Sequence, residues 1–423
     1  MATGNDARKV LDKVLHKVQP SKEELKKISL EIDSFKDKVE KRIKQFKIEA
    51  EIFVGGSFAK KTIIRKDVYD VDIFIRFDKK YPNISDLTKK ILKDFKKTEA
   101  KGSRNYFIID KGVFFIEVVP VVKTKNPSKA ENVTDLSYSH VNYIRKKLKG
   151  EKILDEVKLA KAFCYANGVY GAESYIKGFS GYALELLISH YGNFLKFAKA
   201  FEKMKTGEVI DAEKHYKNKN EVLMELNESK LKSPVILIDP TFKGRNALAA
   251  LSEETFEKFK KSCKEFLRNP NENFFEPQKM NLEKEKNDSN KKGLEFIIIK
   301  ISTERQEGDI AGTKLLKFFN HLKKEIGKHF AIKNNGFDYL GGKDATGFFS
   351  CKSKGEIIIQ GPMTKQEKNV KAFRKAHKNT FSKTGRIYAR EKIKFNLKEF
   401  IKRWKIKNSR KTGEMGVTEL KII

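Results

Sequence analysis

Three acidic residues and a glycine turn are the parts of this sequence best suited to chemistry. The stretch 54–77, VGGSFAKKTIIRKDVYDVDIFIRF, opens with Gly55, Gly56 and Ser57 and passes through Lys60 and Lys61. It closes with Asp70-Val71-Asp72 inside an apolar alternation. On a strand, Val71, Ile73 and Ile75 share one face, and Asp70, Asp72 and Phe74 the other. Two carboxylates on one strand face repel each other unless a cation lies between them, and hard oxygen donors suit Mg²⁺. The Gly-Gly-Ser turn offers backbone N–H groups and a hydroxyl, which a polyphosphate needs. The third acid, Glu117, interrupts the apolar run VFFIEVVPVV of residues 113–122. An isolated charge there is costly unless paired or metal-bound. Each feature is common alone; together they point to two-metal phosphoryl or nucleotidyl transfer.

The surrounding elements must hold these groups in place. Val10, Leu11, Val14, Leu15 and Val18 form one stripe of a helix over 7–18. Ser21 and Glu24 make a capping box for a second helix reaching about Gln45. Strands are expected at 52–55, through the Asp-x-Asp segment, at 106–109 and at 113–119, with a helix at 85–95 between them. A polar stretch near 125–150 suggests a crossing between domains. Beyond it the spacing predicts a helix over 154–167 and one long, mostly apolar helix from the Gly178–Tyr182 start to about Lys203. Residues 279–292 read as a mobile polar connector. The last third predicts strands at 294–301, 347–351 and 356–360 and a helix over 313–327. Lys365–Lys411 interleaves many cations with Phe373, Phe381, Tyr388, Phe395, Phe400 and Trp404. Helical spacing makes most of those aromatics core, and the cations candidates for phosphate contacts.

Composition narrows the class. The 423 residues are 39% hydrophobic and 35% charged, enough to bury the cores of two to four domains. Lys plus Arg number 90 against 56 acids, a formal net charge of +34, which favours a polyanionic partner. Adaptation to a salty or hot cell would leave the same mark and is compatible with it. No apolar run reaches membrane-spanning length, and the N-terminus lacks a signal peptide's apolar stretch. Cys164, Cys263 and Cys351 are far apart and outside metal-ligand spacing, as expected in a reducing cytosol.

The turn, the Asp-x-Asp strand and the third strand carboxylate together resemble the polymerase-β-like nucleotidyltransferases. Four later blocks narrow the resemblance to the archaeal-type (class I) CCA-adding enzymes: KAFCYANGVYGAE (161–173), GFSGYALELLISHYG (178–192), IDPTFKGRNALAALS (238–252) and FLRNPNENFFEP (266–277). QGPMTKQEKNVKAFRK (360–375) resembles a further block of that family. The match is strong over 53–277 and looser over 290–423. The implied fold is α/β (α+β): a palm-like catalytic head (1–147), a helical neck (148–278) and a body and tail (279–423). An antiparallel sheet like an RNA-recognition motif is expected in the last part.

The resemblance implies template-independent building or repair of the 3′-terminal CCA of tRNA from CTP and ATP, with two Mg²⁺ held by Asp70, Asp72 and Glu117. The family generally has aspartate where Glu117 stands. Ser57, Lys60, His140, Lys161 and Tyr170 match positions that contact the triphosphate, although arginine is usual in place of Lys60, and Ser137 stands near His140 where threonine is the rule. Arg245 matches a base-reading arginine, with Asp239 orienting it. Cytosine and adenine both present a ring-nitrogen acceptor beside an amine donor, so one fixed donor and one acceptor admit both and reject uracil and guanine. The expected partners are the tRNA acceptor stem and T arm, CTP and ATP. The setting is cytoplasmic, without a membrane, and a homodimer is left open. A poly(A) polymerase or an oligoadenylate synthetase would differ in product length. A catalytically silent RNA-binding protein is disfavoured by the intact Asp-x-Asp.

Overall fold

The computed structural model describes residues 4–102, 104–124, 126–277 and 280–423. Lys125 of the polar crossing and the expected boundary at 278/279 lie outside the described residues. The chain forms two compact units, 1–278 and 279–423.

The first unit begins with α1 (Gly4–Val18) and α2 (Lys22–Gln45), and the Ser21/Glu24 capping box sits at the start of α2. A five-stranded sheet follows, from β1 (Ala50–Val54), β2 (Tyr69–Phe77), β3 (Thr98–Ala100), β4 (Tyr106–Asp110) and β5 (Phe114–Val122), in the order β1-β2-β5-β4-β3. Strands β2 and β5 run parallel, and the other neighbours are antiparallel. Short α3 (Gly56–Ala59) joins β1 to the segment before β2, and α4 (Ile84–Ile91) follows β2. Val71, Ile73 and Ile75 are fully buried against Ile28, Ile32, Phe35 and Val39 of α2. That apolar face fixes the opposite face as the one that displays the carboxylates.

The polar stretch after the sheet is not simply a crossing: it folds into two 3₁₀ turns and α5 (Ser137–Lys147). Next come α6 (Glu151–Ala166), α7 (Gly181–Tyr191) and α8 (Phe194–Lys203). The single helix expected to about Lys203 is therefore two. Gly192 takes φ +83° to end α7, and the Asn193 side chain accepts from the Lys196 N–H (2.8 Å) to start α8. The apolar pattern runs through the break unchanged, whereas Gly-Asn supplies a helix stop and a new cap. Strands β6 (Glu208–Ile210), β7 (Val235–Asp239) and β8 (Phe242–Asn246) form a three-stranded sheet, the short helices α9 (Lys219–Glu225) and α10 (Glu228–Leu231) lie between β6 and β7 in the chain, and α11 (Glu253–Arg268) follows. Phenylalanines dominate the second core, with Phe163, Phe179, Phe197, Phe201 and Phe259 packed together. Leu11 and Val14 of α1 belong to this core rather than to that of the sheet.

The second unit opens with α12 (Leu282–Lys291), where the sequence suggests a mobile connector. Asn281 caps it, and Ser289, buried, donates to Ser350 at 2.7 Å. Then come β9 (Glu295–Ser302), α13 (Asp309–His329), β10 (Phe330–Tyr339), β11 (Asp344–Ser353), β12 (Glu356–Met363), α14 (Glu367–Ala376), β13 (Thr380–Lys383), β14 (Arg386–Lys392), α15 (Leu397–Lys407), α16 (Ser409–Glu414) and β15 (Glu419–Ile422). An antiparallel sheet in the order β10-β11-β9-β15 packs against α13 and α15 through Leu315, Phe319, Ile401 and Trp404. A smaller sheet is ordered β12-β14-β13. Strand β10 has no counterpart in the sequence reading, because NNGFDY lacks the alternation of a half-buried strand. Among the described residues no helix is long and apolar enough to cross a membrane.

Candidate active site

Parallel pairing sets Asp72 of β2 directly beside Glu117 of β5, and Asp70 lies two residues along the same face. Burial raises the Glu117 carboxyl to about 7, with Asp72 and then Asp70 adding to the rise. Burial also raises Asp72 against the pull of Lys60, and Asp70 adds to it. Asp70 itself is exposed and pairs with Lys66 at 3.3 Å. Among the described residues no three carboxylate, histidine or cysteine side chains converge as a metal centre. The donor set nevertheless suits a hard divalent cation. Three carboxylates on one sheet face, two of them with proton affinity raised by burial and by their acidic neighbours, gain most from a dication between them.

The glycine turn exists because of Asp72 and Phe74. Gly55 donates its N–H to the Asp72 carbonyl (2.8 Å), and a Cβ on Gly55 would sit 2.3 Å from the Phe74 ring. Gly56 has φ +58°, and a Cβ there would lie 1.7 Å from the Asp72 Oδ2. Left-handed backbone alone costs a side-chain-bearing residue about 1–2 kcal/mol. Gly56→Ala is therefore expected to lower the melting temperature and to slow the reaction of this site by at least roughly a hundredfold, since the displaced carboxylate loses its placement. A melting curve and a rate both matching wild type would refute this close approach.

Ser57, Lys60, Asp70, Asp72, Lys161 and Tyr170 all line one cavity of about 320 Å³, together with Gly56, Thr62, Lys66, Gly181 and Glu185. Six of the residues singled out by sequence thus converge from α3 and the residue after it, β2, α6 and the segment after α6. Glu117 faces them from β5. Gly181 leaves room for Tyr170, whose hydroxyl lies 3.0 Å from where a Cβ on Gly181 would be. Neither lysine points freely into the cavity. Glu185, fully buried on α7, accepts from Lys60 Nζ at 2.6 Å through Oε2 and from Lys161 Nζ at 2.9 Å through Oε1.

His140, Asp239 and Arg245 form a second cluster. The Asp239 carboxylate is fully buried. Its Oδ2 meets His140 Nε2 at 3.0 Å and accepts from Arg245 Nη1 at 2.6 Å. Its Oδ1 accepts from the Tyr182 hydroxyl (3.0 Å) and from the N–H and hydroxyl of Thr241 (both 2.8 Å). Burial would raise the Asp239 carboxyl, but His140 and Arg245 hold it well below the usual carboxylate range. Burial lowers His140 even beside Asp239. His140 therefore faces a carboxylate and stacks on Tyr182 with ring centres 4.1 Å apart.

Tyr182, which sequence reasoning treats only as part of a helix start, links the two clusters. The Arg245 guanidinium lies 5.7 Å and the Lys60 ammonium 6.0 Å from its ring centre. Glu185 is likewise absent from the sequence reading, though a usable sign was present: it is the one charge in the apolar run ALELLIS, the feature that exposed Glu117.

Comparisons with known proteins bear on this geometry. Residues 155–276 match the family described as tRNA nucleotidyltransferase, second domain, and residues 6–140 match the Second Messenger Oligonucleotide or Dinucleotide Synthetase domain. The chain is 43% identical over 210 residues to the CCA-adding enzyme of Nanoarchaeum equitans, covering 49% of this chain and 52% of that one. It is 29% identical to the enzyme of that name from Methanocaldococcus jannaschii, covering 90% and 86%. With that from Saccharolobus solfataricus it shares 30% identity over 77% of this chain and 72% of the relative. A cytoplasmic RNA terminal U-transferase superposes with TM-score 0.51 at 13% identity, over 65% of this chain and all of that one. That last likeness concerns the fold.

Proposed function

The chain belongs to the CCA-adding enzymes, and from that membership we propose that it adds and repairs the 3′-terminal CCA of tRNA from CTP and ATP without a template. The observation that carries the reading is the shared cavity: lysines, a serine and a tyrosine stand beside two strand carboxylates, with Glu117 one strand away. Nucleotidyltransferases of this superfamily generally use divalent metal ions. Asp70, Asp72 and Glu117 would hold them, two Mg²⁺ in this reading. When bound, they supply positive charge that lowers the pKa of the RNA 3′-hydroxyl and offsets the charge of the triphosphate.

The chain's own groups do the rest. Lys60 and Lys161 offer ammonium charge to the phosphates, and Ser57 and Tyr170 offer hydroxyl donors. Burial raises the pKa of Tyr170, so it remains a donor at neutral pH. His140 contacts the triphosphate in this reading, its ring oriented by Asp239 at 3.0 Å. Asp239 in turn holds Arg245, which reads the acceptor–donor edge common to C and A. A catalytic head at 1–147 and a neck at 148–278 accord with the two matched families at 6–140 and 155–276. A cytoplasmic setting belongs to the same reading and suits three buried, unbridged cysteines.

The test is a tRNA transcript lacking CCA, offered each nucleotide singly and then CTP with ATP. Addition of CCA and then arrest supports the proposal, whereas a long homopolymer would replace it with a poly(A) polymerase-like activity. Arg245→Ala sharpens the test. His140, Tyr182 and Thr241 still hold Asp239, so the fold should persist. C and A addition should slow by roughly ten- to hundredfold, the worth of a base-edge contact, and lose ground to U. An unchanged nucleotide preference, measured in single-nucleotide incorporation, would remove Arg245 from base choice.

A further inference from the structure

We propose that Glu185 is a positioning residue for the triphosphate, its buried carboxylate holding Lys60 and Lys161 as a fixed pair of ammonium groups on the wall of the cavity that contains Asp70 and Asp72. The proposal rests on the reading of that cavity as a nucleoside triphosphate site. Three observations carry it. First, one carboxylate serves both lysines through separate oxygens, at 2.6 Å and 2.9 Å. Second, Thr62 completes the arrangement: its hydroxyl donates to Glu185 Oε1 (2.7 Å) and accepts from Lys161 (2.8 Å), and its carbonyl also accepts from Lys161 (3.2 Å). Third, Lys60, Lys161, Thr62 and Glu185 all line the cavity with the two aspartates.

Stability alone does not call for such a cluster. A buried pair of lysines around one glutamate carries a net charge, and apolar side chains of similar volume often stabilise a fold as well or better. A net positive charge held rigidly at the wall of a cavity is what a polyanion gains from, because the ordering of two flexible lysines is settled before binding.

The electrostatics agree. Burial pulls Lys161 down to about 8, against the attraction of Glu185, while Lys60 and Lys66 push it in the same direction as burial. The other titratable groups of the cavity are Tyr69, Asp70 and Asp72 of β2 and Tyr170 and Glu173 after α6, and Thr62 lines it too. Burial would raise the Glu185 carboxyl, yet Lys161 and Lys60 hold it at about 2, so it remains an anion wherever the enzyme is folded and active. In wild type the Lys161 ammonium is therefore present below about 8 and lost as pH rises through that value. Removing Glu185's charge moves the loss to lower pH.

Glu185→Gln and Glu185→Asp in the full chain provide the test, with KM and kcat for CTP on tRNA lacking CCA and calorimetric affinity for inorganic tripolyphosphate. Each is measured at one pH well below and one just below the Lys161 value of about 8. For Glu185→Gln the KM and the tripolyphosphate Kd should rise by roughly ten- to hundredfold, the worth of hydrogen bonds to charged groups, and kcat should change less. The defect should be largest just below about 8, where wild type keeps the Lys161 ammonium and the variant has lost it, and should shrink at the lower pH, where Lys161 is charged in both. A lowered melting temperature with KM and Kd equal to wild type at both pH values would overturn the proposal. If Glu185→Gln does not fold, Glu185→Asp retains the charge on a shorter arm. Weakened tripolyphosphate binding in it supports the role, and unchanged binding refutes it. If wild type binds tripolyphosphate through Glu185 but does not extend tRNA, the assigned reaction fails and the role of Glu185 stands.

Discussion

Asp72→Asn should lower nucleotide incorporation by roughly a thousandfold or more, about 4 kcal/mol of transition-state stabilisation, while leaving a folded protein that binds tRNA as wild type does. The expectation follows from where the carboxylate stands. Asp72 lies between Asp70 and Glu117 on the sheet face, with Gly56 stripped of a side chain to accommodate it. Burial and Asp70 raise its proton affinity, so at neutral pH the ionised side chain is a strain on the folded state. Removing the charge relieves that repulsion, and the melting temperature should hold or rise. Activity and stability should thus move in opposite directions, which separates a group kept for chemistry from one kept for packing. Incorporation near the wild-type rate would remove Asp72 from the reaction. A fall in melting temperature matching the fall in rate would mean that the residue mainly supports the sheet.

What could be read from the sequence, and what could not, has a physical basis. The Asp-x-Asp strand was legible because its alternation of period two is broken only at Phe74 and its apolar half is fully buried at Val71, Ile73 and Ile75. Glu117 was legible as a lone charge in an apolar run. The pairing that sets Glu117 beside Asp72 joins residues 45 positions apart in a parallel register, and no local pattern encodes it. The break at Gly192 was hidden because hydrophobic periodicity reports burial and not chain direction, and here the apolar stripe continues through the turn. The helix at 282–291 has almost no apolar residues and is ordered by the Asn281 cap and the buried Ser289–Ser350 bond, which are tertiary facts. Tyr182 escaped notice because a tyrosine at a helix start ordinarily means packing, and Glu185 because its sign, a lone charge in an apolar run, names no partner. Their roles emerge only when α7 is set against α3 and β8.

Binding of tRNA should weaken steeply with salt. A formal net charge of +34 is far more than folding requires, and much of it is displayed in the second unit. On α14, Lys368, Lys371, Arg374 and Lys375 are all exposed, as are Arg390, Lys392, Lys402, Arg403 and Lys405 further along. The interleaved aromatics divide: Phe400 and Trp404 are buried in the core, whereas Phe373, Phe381, Tyr388 and Phe395 are half-buried. Each phosphate neutralised releases condensed counterions, so log K should fall by about 0.7 to 0.9 per contact for each tenfold rise in salt. For roughly six to ten contacts this amounts to a loss of about a thousandfold or more between ~50 and ~200 mM salt. Side chains cannot enter the deep groove of A-form RNA, so recognition should follow the backbone of the acceptor and T stems. A minihelix of those stems should bind almost as tightly as whole tRNA, whatever its sequence. Reversing Lys368, Lys371 and Lys375 to glutamate, which changes one exposed helix face and no core residue, should flatten the salt slope by about two to three contacts while nucleotide choice stays as it was. Fluorescence anisotropy across a salt series reads all of this. A dissociation constant that barely moves with salt would mean that the cations serve the solubility of the surface, and that the tRNA is held by contacts other than its phosphates.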